Sequence, residues 1–85
     1  MEFLYHGTAQ SNIESIQEKG IEKRDRQHVH LSQDKETATS AGMSHGKPII
    51  LTIKTGEMFE NGIEFYLSDN GVWLTDFVNS IYISR

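Results

Sequence analysis

The segment RQHVHLSQD, residues 26–34, has the alternation of a β-strand with two different faces. In a strand, successive side chains point to opposite sides. The valine and the leucine of the segment therefore share a face that is suited to a core, while Arg26, His28 and His30 share the other face. One cation and two imidazoles in register form a row of hydrogen-bond donors, which is more than solubility requires. The row predicts a site for an anionic or hydroxyl-rich ligand.

Two other interpretations of the same row are open. His28 and His30 would lie about 6–7 Å apart on a strand, and together with His6 they could bind zinc. No carboxylate stands at ligand spacing, the chain has no cysteine, and Arg26 beside the histidines disfavours a bound cation. The second of these interpretations is that the row is simply a polar strand face exposed to solvent. The spacing favours a ligand site without a metal.

Length and composition limit the class of protein. The chain has 85 residues, which predicts one domain over residues 1–85. The formal net charge of −4 argues against broad electrostatic binding of nucleic acid. No apolar run reaches membrane-spanning length, and the absence of cysteine is typical of a reducing compartment. We therefore expect a soluble, cytoplasmic protein that has no contact with a membrane.

Two helices are predicted. Ser11 and Glu14 form a capping box for the first helix, and Gly20 suits the position after its last turn. The second helix would begin at Ser32 as N-cap, with Asp34 in its first turn. Its inner face would consist of small residues: Ala38, Ala41 and Gly42.

About six short strands are predicted, and the chain is therefore expected to have an α+β fold. The most apolar run, residues 49–53, follows a break at Gly46-Lys47-Pro48 and should be a central strand. Asn70-Gly71 is a strong turn signal. The charged residues 22–25 read as a solvated loop. The predicted strands cover residues 3–6, 26–34, 49–53, 63–67, 72–75 and 81–83.

Several residues outside the row have both a structural and a functional interpretation. His6-Gly7-Thr8 closes the first strand, where the glycine would let a ligand approach the backbone. An ordinary turn explains the same three residues. Trp73, Phe65 and Tyr66 fit a core equally well as a wall on which a ligand ring stacks.

The order and spacing of six segments resemble the NAD-dependent RNA 2′-phosphotransferases, the KptA family. The resemblance covers nearly the whole chain, and RxHVHLS together with NGVWLT is its most specific part. The segments are LYHGT (4–8), SIQEKGI (15–21), RQHVHLS (26–32), TA with a following glycine (37, 38 and 42), GKPIILTI (46–53) and FYLSDNGVWLT (65–75).

The resemblance implies a fold and a site. The matching part of the family has an ADP-ribosyltransferase fold, in which a split β-sheet holds NAD in a cleft. The three signature positions of that fold would be His6, His30 and Val72, and Val72 stands where many ADP-ribosyltransferases have a catalytic glutamate. Arg26 resembles the phosphate-contacting arginine of the family. The implied catalytic residues are Arg26 and His30. The implied ligand-binding residues are His6, Gly7, Thr8, Arg26, His28, His30, Ser32, Asn70, Gly71 and Val72.

The resemblance also implies a reaction and leaves an alternative open. Family members transfer an RNA 2′-phosphate to the ADP-ribose part of NAD, so NAD or an ADP-ribose derivative is the expected co-substrate, without a metal. They are longer and begin with a winged-helix-like lobe that supplies three further site residues, to which no segment of this sequence corresponds. The alternative is a non-catalytic module that sequesters an NAD-derived nucleotide signal, as a virus-encoded counter-defence protein would.

Overall fold

The structure is a computed structural model, and it describes residues 2–43 and 47–85. In these two ranges the chain forms eight short strands, three α-helices and two 3₁₀ turns. The helices are α1 (Ile13–Lys19), α2 (Lys35–Met43) and α3 (Thr55–Glu60). The strands are β1 (Leu4–Ala9), β2 (Ile21–Glu22), β3 (Val29–Leu31), β4 (Pro48–Ile53), β5 (Tyr66–Leu67), β6 (Trp73–Thr75), β7 (Phe77–Val78) and β8 (Ile83–Ser84).

The strands make two three-stranded antiparallel sheets and one two-stranded ribbon. The first sheet has the order β1-β4-β8, the second has the order β3-β6-β5, and β2 pairs with β7. A single bridge between Tyr5 and Ser32 joins β1 to the end of β3. Among the described residues, this bridge is the backbone pairing that links the two sheets. This arrangement of helices and antiparallel strands is the predicted α+β fold.

The core lies where the inner faces of these elements meet. Val29 and Leu31 are buried, as their alternation with the histidines predicted. Ile13 and Ile16 of α1 are buried on one helix face, because residues three apart lie side by side. Residues 49–53 form most of β4, the middle strand of its sheet, as predicted. The buried hydrophobic cluster is completed by Leu4, Ile21, Leu51, Ile53, Met58, Val78 and Tyr82.

Both predicted helix starts are wrong. Residues Gln10–Asn12 form a 3₁₀ turn, and Asn12 precedes α1 without a side-chain cap, so Ser11 does not cap the helix. Ser32 exchanges two backbone hydrogen bonds with Tyr5, which hold it in extended backbone. The cap of α2 is Asp34, whose Oδ1 accepts a hydrogen bond from the Thr37 amide at 2.7 Å. Ala38 faces the core as predicted, while the predictions for the side chains of Ala41 and Gly42 and for the break at Gly46 concern residues outside the described set.

Several strand predictions also have wrong limits. The first strand continues through Gly7 and Thr8, because β4 supplies backbone partners as far as Ala9. In the central segment only Val29–Leu31 is a strand, and residues 26–28 form a bend. Two-residue strands such as β2 and β7 were not predicted, because a pair of residues carries no alternation. No helix in the part of the chain that is described is long and apolar enough to cross a membrane.

Candidate functional site

His6 of β1 and His30 of β3 meet beside the Tyr5–Ser32 bridge. Tyr5 and Ser32 exchange backbone hydrogen bonds of 2.9 and 2.8 Å, which align β1 with the end of β3. His6 Nδ1 lies 3.0 Å from the carbonyl oxygen of His30 and donates to it. Since a carbonyl oxygen only accepts, Nδ1 of His6 carries the proton. Burial lowers the pKa of His6, the hydrogen bond to the His30 carbonyl offsets part of this, and the nearby His30 and Arg26 lower the pKa further. The net shift is downward, so at neutral pH Nε2 is unprotonated and can accept a hydrogen bond.

Arg26 sets the opposite tautomer at His30. The Arg26 Nη1 atom lies 3.2 Å from Nδ1 of His30. A guanidinium has no acceptor atom, so Nδ1 of His30 must accept and the ring proton lies on Nε2. Partial burial lowers the pKa of His30, and the charge of Arg26 and the proximity of His28 lower it further. The two neutral imidazoles therefore offer one acceptor, His6 Nε2, and one donor, the Nε2–H group of His30.

The two histidines line a cleft of about 390 Å³, which is within the size range of small-molecule sites. One wall is the second half of β1, with His6, Gly7 and Thr8. Thr8 accepts a hydrogen bond of 3.2 Å from the Asn12 amide, which leaves the hydroxyl proton of Thr8 free to be donated. The opposite wall is the segment from Arg26 to Ser32. The cleft therefore combines cationic, imidazole and hydroxyl groups in one recess.

The structure brings seven of the predicted site residues to this cleft and leaves three outside its lining. The seven are His6, Gly7, Thr8, Arg26, His28, His30 and Ser32. Asn70 and Gly71 form the predicted turn between β5 and β6, in which the Gly71 amide donates to the Ser68 carbonyl at 3.0 Å. Val72 follows directly, and its amide donates to the Ser68 hydroxyl at 3.0 Å. Val72 is the residue before Trp73, and Trp73 pairs with Leu31 across β3 and β6.

The charged segment of residues 22–25, which begins with the last residue of β2, lines the cleft although the sequence analysis assigned it only to a solvated loop. The end of α1 and Asn12 line the cleft as well. Lys23 Nζ lies 2.6 Å from Asp76 Oδ1, and this ion pair lowers the pKa of Asp76 and connects the loop to the β6–β7 junction.

The histidines of the cleft were also considered as metal ligands. Within residues 2–43 and 47–85, the structure has no group of three or more histidine, cysteine, aspartate or glutamate side chains that could hold a metal ion. Nδ1 of His6 contacts a carbonyl oxygen and Nδ1 of His30 contacts a guanidinium. Since Nε2 of His30 carries the ring proton, the pair offers one free ligand nitrogen, His6 Nε2. The arrangement is suited to binding hydroxyls and a phosphate, because Arg26 keeps further N–H groups beyond the one that contacts His30.

Comparison with known proteins identifies the family of the chain. Residues 1–77 match the RNA 2′-phosphotransferase, Tpt1 / KptA family, and the chain belongs to this family. A probable RNA 2′-phosphotransferase of Flavobacterium johnsoniae is 55% identical over 83 residues, which are 98% of this chain and 46% of that protein. One of Fusobacterium nucleatum is 57% identical over 81 residues, covering 94% of this chain and 45% of that protein. The chain thus spans less than half the length of these relatives.

Proposed function

We propose that this domain binds the ADP-ribose part of NAD, or a phosphorylated ADP-ribose derivative, in the cleft of His6, Arg26 and His30. We further propose that it contributes this half of the site to NAD-dependent transfer of an RNA 2′-phosphate. The observation that supports the proposal is the hydrogen-bonded series from Arg26 to His30 and from His6 to the His30 carbonyl. The topology supports an ADP-ribosyltransferase fold. The three signature positions are His6 on β1, His30 on β3 and Val72 just before β6, and β3 pairs with β6 and is bridged to β1 at its end.

The paired tautomers suit a ribose. Each ribose hydroxyl is both a donor and an acceptor, and a vicinal diol offers the two functions side by side. His6 Nε2 would accept from one hydroxyl, and the Nε2–H group of His30 would donate to its neighbour. Because both rings are neutral, they orient the diol without placing a charge beside the carbon at which positive charge develops when nicotinamide leaves.

Arg26 would bind the phosphate that reacts. A phosphate monoester is already mostly ionised near neutral pH, since its second pKa is about 6, and it needs positioning more than a base. A carboxylate at the position of Val72 would repel this nucleophile, whereas valine does not. In the proposed reaction a 2′-phosphate oxygen attacks the ribose carbon that bears nicotinamide, and the bond to nicotinamide breaks. The adjacent ribose hydroxyl then attacks the phosphorus atom, which gives ADP-ribose cyclic phosphate and releases the RNA 2′-hydroxyl.

Titration calorimetry with two ligands tests the proposal. Arg26→Ala is expected to weaken binding of ADP-ribose cyclic phosphate by about 1.5–3 kcal/mol, the value of a hydrogen bond to a charged group. Binding of ADP-ribose, which has no phosphate at that position, should weaken less, because it loses only the tautomer of His30 that the Arg26 guanidinium holds. Arg85→Ala is the matched control, because it removes the same charge from an exposed residue outside the cleft lining.

Three results would contradict parts of this proposal. Equal weakening of both ligands by Arg26→Ala would mean that Arg26 has a structural role and does not bind the phosphate. Binding of neither ligand by the wild-type chain would refute the function as a whole. Tight binding with no release of nicotinamide from NAD, even with a 2′-phosphorylated oligonucleotide present, would refute transfer by this chain and leave a binding module.

A further inference from the structure

A second recess, of about 580 Å³, lies next to the cleft and shares His28 with it. Its walls include Tyr66 of β5 and Phe77 of β7, whose residues are 49% and 41% exposed. Aromatic rings that remain this exposed beside a ligand cleft can act as stacking platforms for nucleobases. A ligand that occupies the cleft could therefore extend past His28 and place a planar group in this recess.

The Tyr66 ring is held in place by its surroundings. Tyr66 pairs with Leu74 across β5 and β6, and the buried Thr75 hydroxyl donates to the Glu64 carbonyl at 3.0 Å. The ring centroids of Tyr66 and His28 lie 5.6 Å apart, with an interplanar angle of 58°, a tilted arrangement that aromatic pairs favour. A ring ordered before binding loses little conformational entropy when a base stacks on it.

The two carboxylates of the recess are already engaged. Glu64 Oε2 accepts a hydrogen bond of 3.1 Å from the Tyr66 hydroxyl, and Asp76 is paired with Lys23. The hydrogen bond to Glu64 raises the pKa of Tyr66, so the ring is a neutral phenol at physiological pH. The remaining wall includes the apolar side chains Ile63 and Phe77, together with Asn79 and Tyr82. Apolar walls with a few placed polar groups favour a flat heterocycle over a second phosphate.

We propose that this recess binds the nucleobase of the nucleotide whose ribose or phosphate occupies the cleft, and that the base stacks on Tyr66. The inference rests on the proposed function, because it requires a nucleotide in the cleft. The base has two sources, the adenine of NAD and the base of the RNA nucleotide that carries the 2′-phosphate. Both have the same chemistry, and the choice of probes separates them.

The test compares three probes on matched variants by titration calorimetry. The probes are NAD, nicotinamide mononucleotide, which lacks adenine, and adenosine 2′-monophosphate. Tyr66→Ala removes the ring, and Tyr66→Phe keeps the ring but removes the hydrogen bond to Glu64. Phe59→Ala is the control, since Phe59 is 70% exposed on α3 and lines neither the cleft nor the recess.

Loss of the Tyr66 ring should weaken the binding of the probe whose base occupies the recess by roughly 5-fold to 150-fold, the range for stacking of one base on an aromatic side chain. If the base is the adenine of NAD, Tyr66→Ala weakens NAD and leaves nicotinamide mononucleotide unchanged. If it is the base of the RNA nucleotide, Tyr66→Ala weakens adenosine 2′-monophosphate and leaves NAD unchanged. In either case Tyr66→Phe and Phe59→Ala bind like the wild type.

The proposal is overturned if Tyr66→Ala binds all three probes as the wild type does. When Arg26→Ala still weakens phosphate binding in that experiment, the proposed function stands and only the base site fails. Failure of the wild type to bind any probe refutes both. A measurement on the unaltered protein covers the case in which Tyr66→Ala does not fold. Nuclear Overhauser effects between the H2 or H8 protons of the bound base and the Tyr66 ring are expected, and their absence in a saturated complex refutes stacking.

Discussion

Replacement of Gly20 by alanine should destabilise the domain far more than the same change at Gly62. Gly20 has φ +80° and ψ −174°, a backbone conformation that is accessible essentially only to glycine. A Cβ atom there would lie 2.3 Å from the Val78 carbonyl oxygen and 2.9 Å from the Phe77 ring. The first distance is about 1 Å shorter than an ordinary contact, which is 3.4–4 Å. Alanine would therefore push the end of α1 away from the β2–β7 ribbon.

The expected magnitude follows from two additive costs. The backbone conformation costs about 1–3 kcal/mol for a residue with a Cβ atom, and forcing extra atoms into a packed site costs about 1–3 kcal/mol more. The sum of about 2–6 kcal/mol is a large part of the ~4–13 kcal/mol expected for a domain of 85 residues. Because 1 kcal/mol shifts the melting temperature of a small domain by about 4–8 °C, the melting temperature should fall by ~10 °C or more.

Gly62 separates the two costs. It also has a positive φ, +85°, but nothing lies within 4 Å of the position of its Cβ atom. Gly62→Ala should therefore cost only the left-handed conformation, about 1–2 kcal/mol. Urea unfolding followed by circular dichroism measures both variants. Since Gly20 lines the cleft, Gly20→Ala should also weaken binding of ADP-ribose cyclic phosphate. Equal destabilisation at the two glycines would refute the argument from close approach.

Three further predictions concern pH, buried hydroxyls and turnover. Burial lowers the pKa of His6 and of His30 below 6.5, so at mildly acidic pH the folded chain binds fewer protons than the unfolded chain. The contribution of these histidines to the free energy of unfolding should therefore be fully present above pH 6.5 and be lost as the pH falls through the lowered pKa values. Urea titrations should show a smaller loss for His6→Gln. The buried Thr55 hydroxyl has no hydrogen-bond partner among the described residues, so Thr55→Val should be neutral or stabilising, whereas Thr75→Val should cost about 1–2 kcal/mol because the Glu64 carbonyl loses its donor. These 85 residues alone should process a 2′-phosphorylated oligonucleotide with NAD far below the ordinary enzyme rate of about 1 s⁻¹. The reason is that the family resemblance implies three more site residues, in a lobe of the family members that this sequence does not match. Turnover at about 1 s⁻¹ would refute the expectation.

Local patterns predicted the elements whose neighbours are close in sequence. The alternation around Val29 and Leu31, the three-residue spacing of Ile13 and Ile16, and the Asn70-Gly71 turn each depend on local geometry, and the structure has all three. The helix starts depended on longer-range contacts. Ser32 has the side chain of a cap, but its backbone is paired with Tyr5, 27 positions away, and the cap moves to Asp34. A sequence pattern does not reveal which of two capable residues is occupied by a distant strand.

The site shows the same division between local and distant information. Alternation placed Arg26, His28 and His30 on one strand face, but residues 26–28 form a bend and only His30 lies in β3. Arg26 nevertheless contacts His30, because the bend returns its guanidinium to Nδ1 of that ring. The sequence therefore predicted correctly that Arg26 and His30 lie together. The reason given, a continuous strand with alternating faces, is wrong for residues 26–28.

Which ring nitrogen of His6 and of His30 carries the proton is decided by contacts that form only in the folded chain. The proton of His6 is fixed on Nδ1 by a main-chain carbonyl, and any residue at position 30 would supply that carbonyl. The proton of His30 is fixed on Nε2 by the guanidinium of Arg26, which a sequence shows as a cation but not as a tautomer selector. Substitution of His30 should therefore leave the tautomer of His6 unchanged, whereas Arg26→Ala should release Nδ1 of His30 and let its ring take either tautomer. The donor and acceptor that face a ribose are thus controlled by separate contacts, and ¹⁵N chemical shifts of the two rings in Arg26→Ala would show a change at His30 without a change of tautomer at His6.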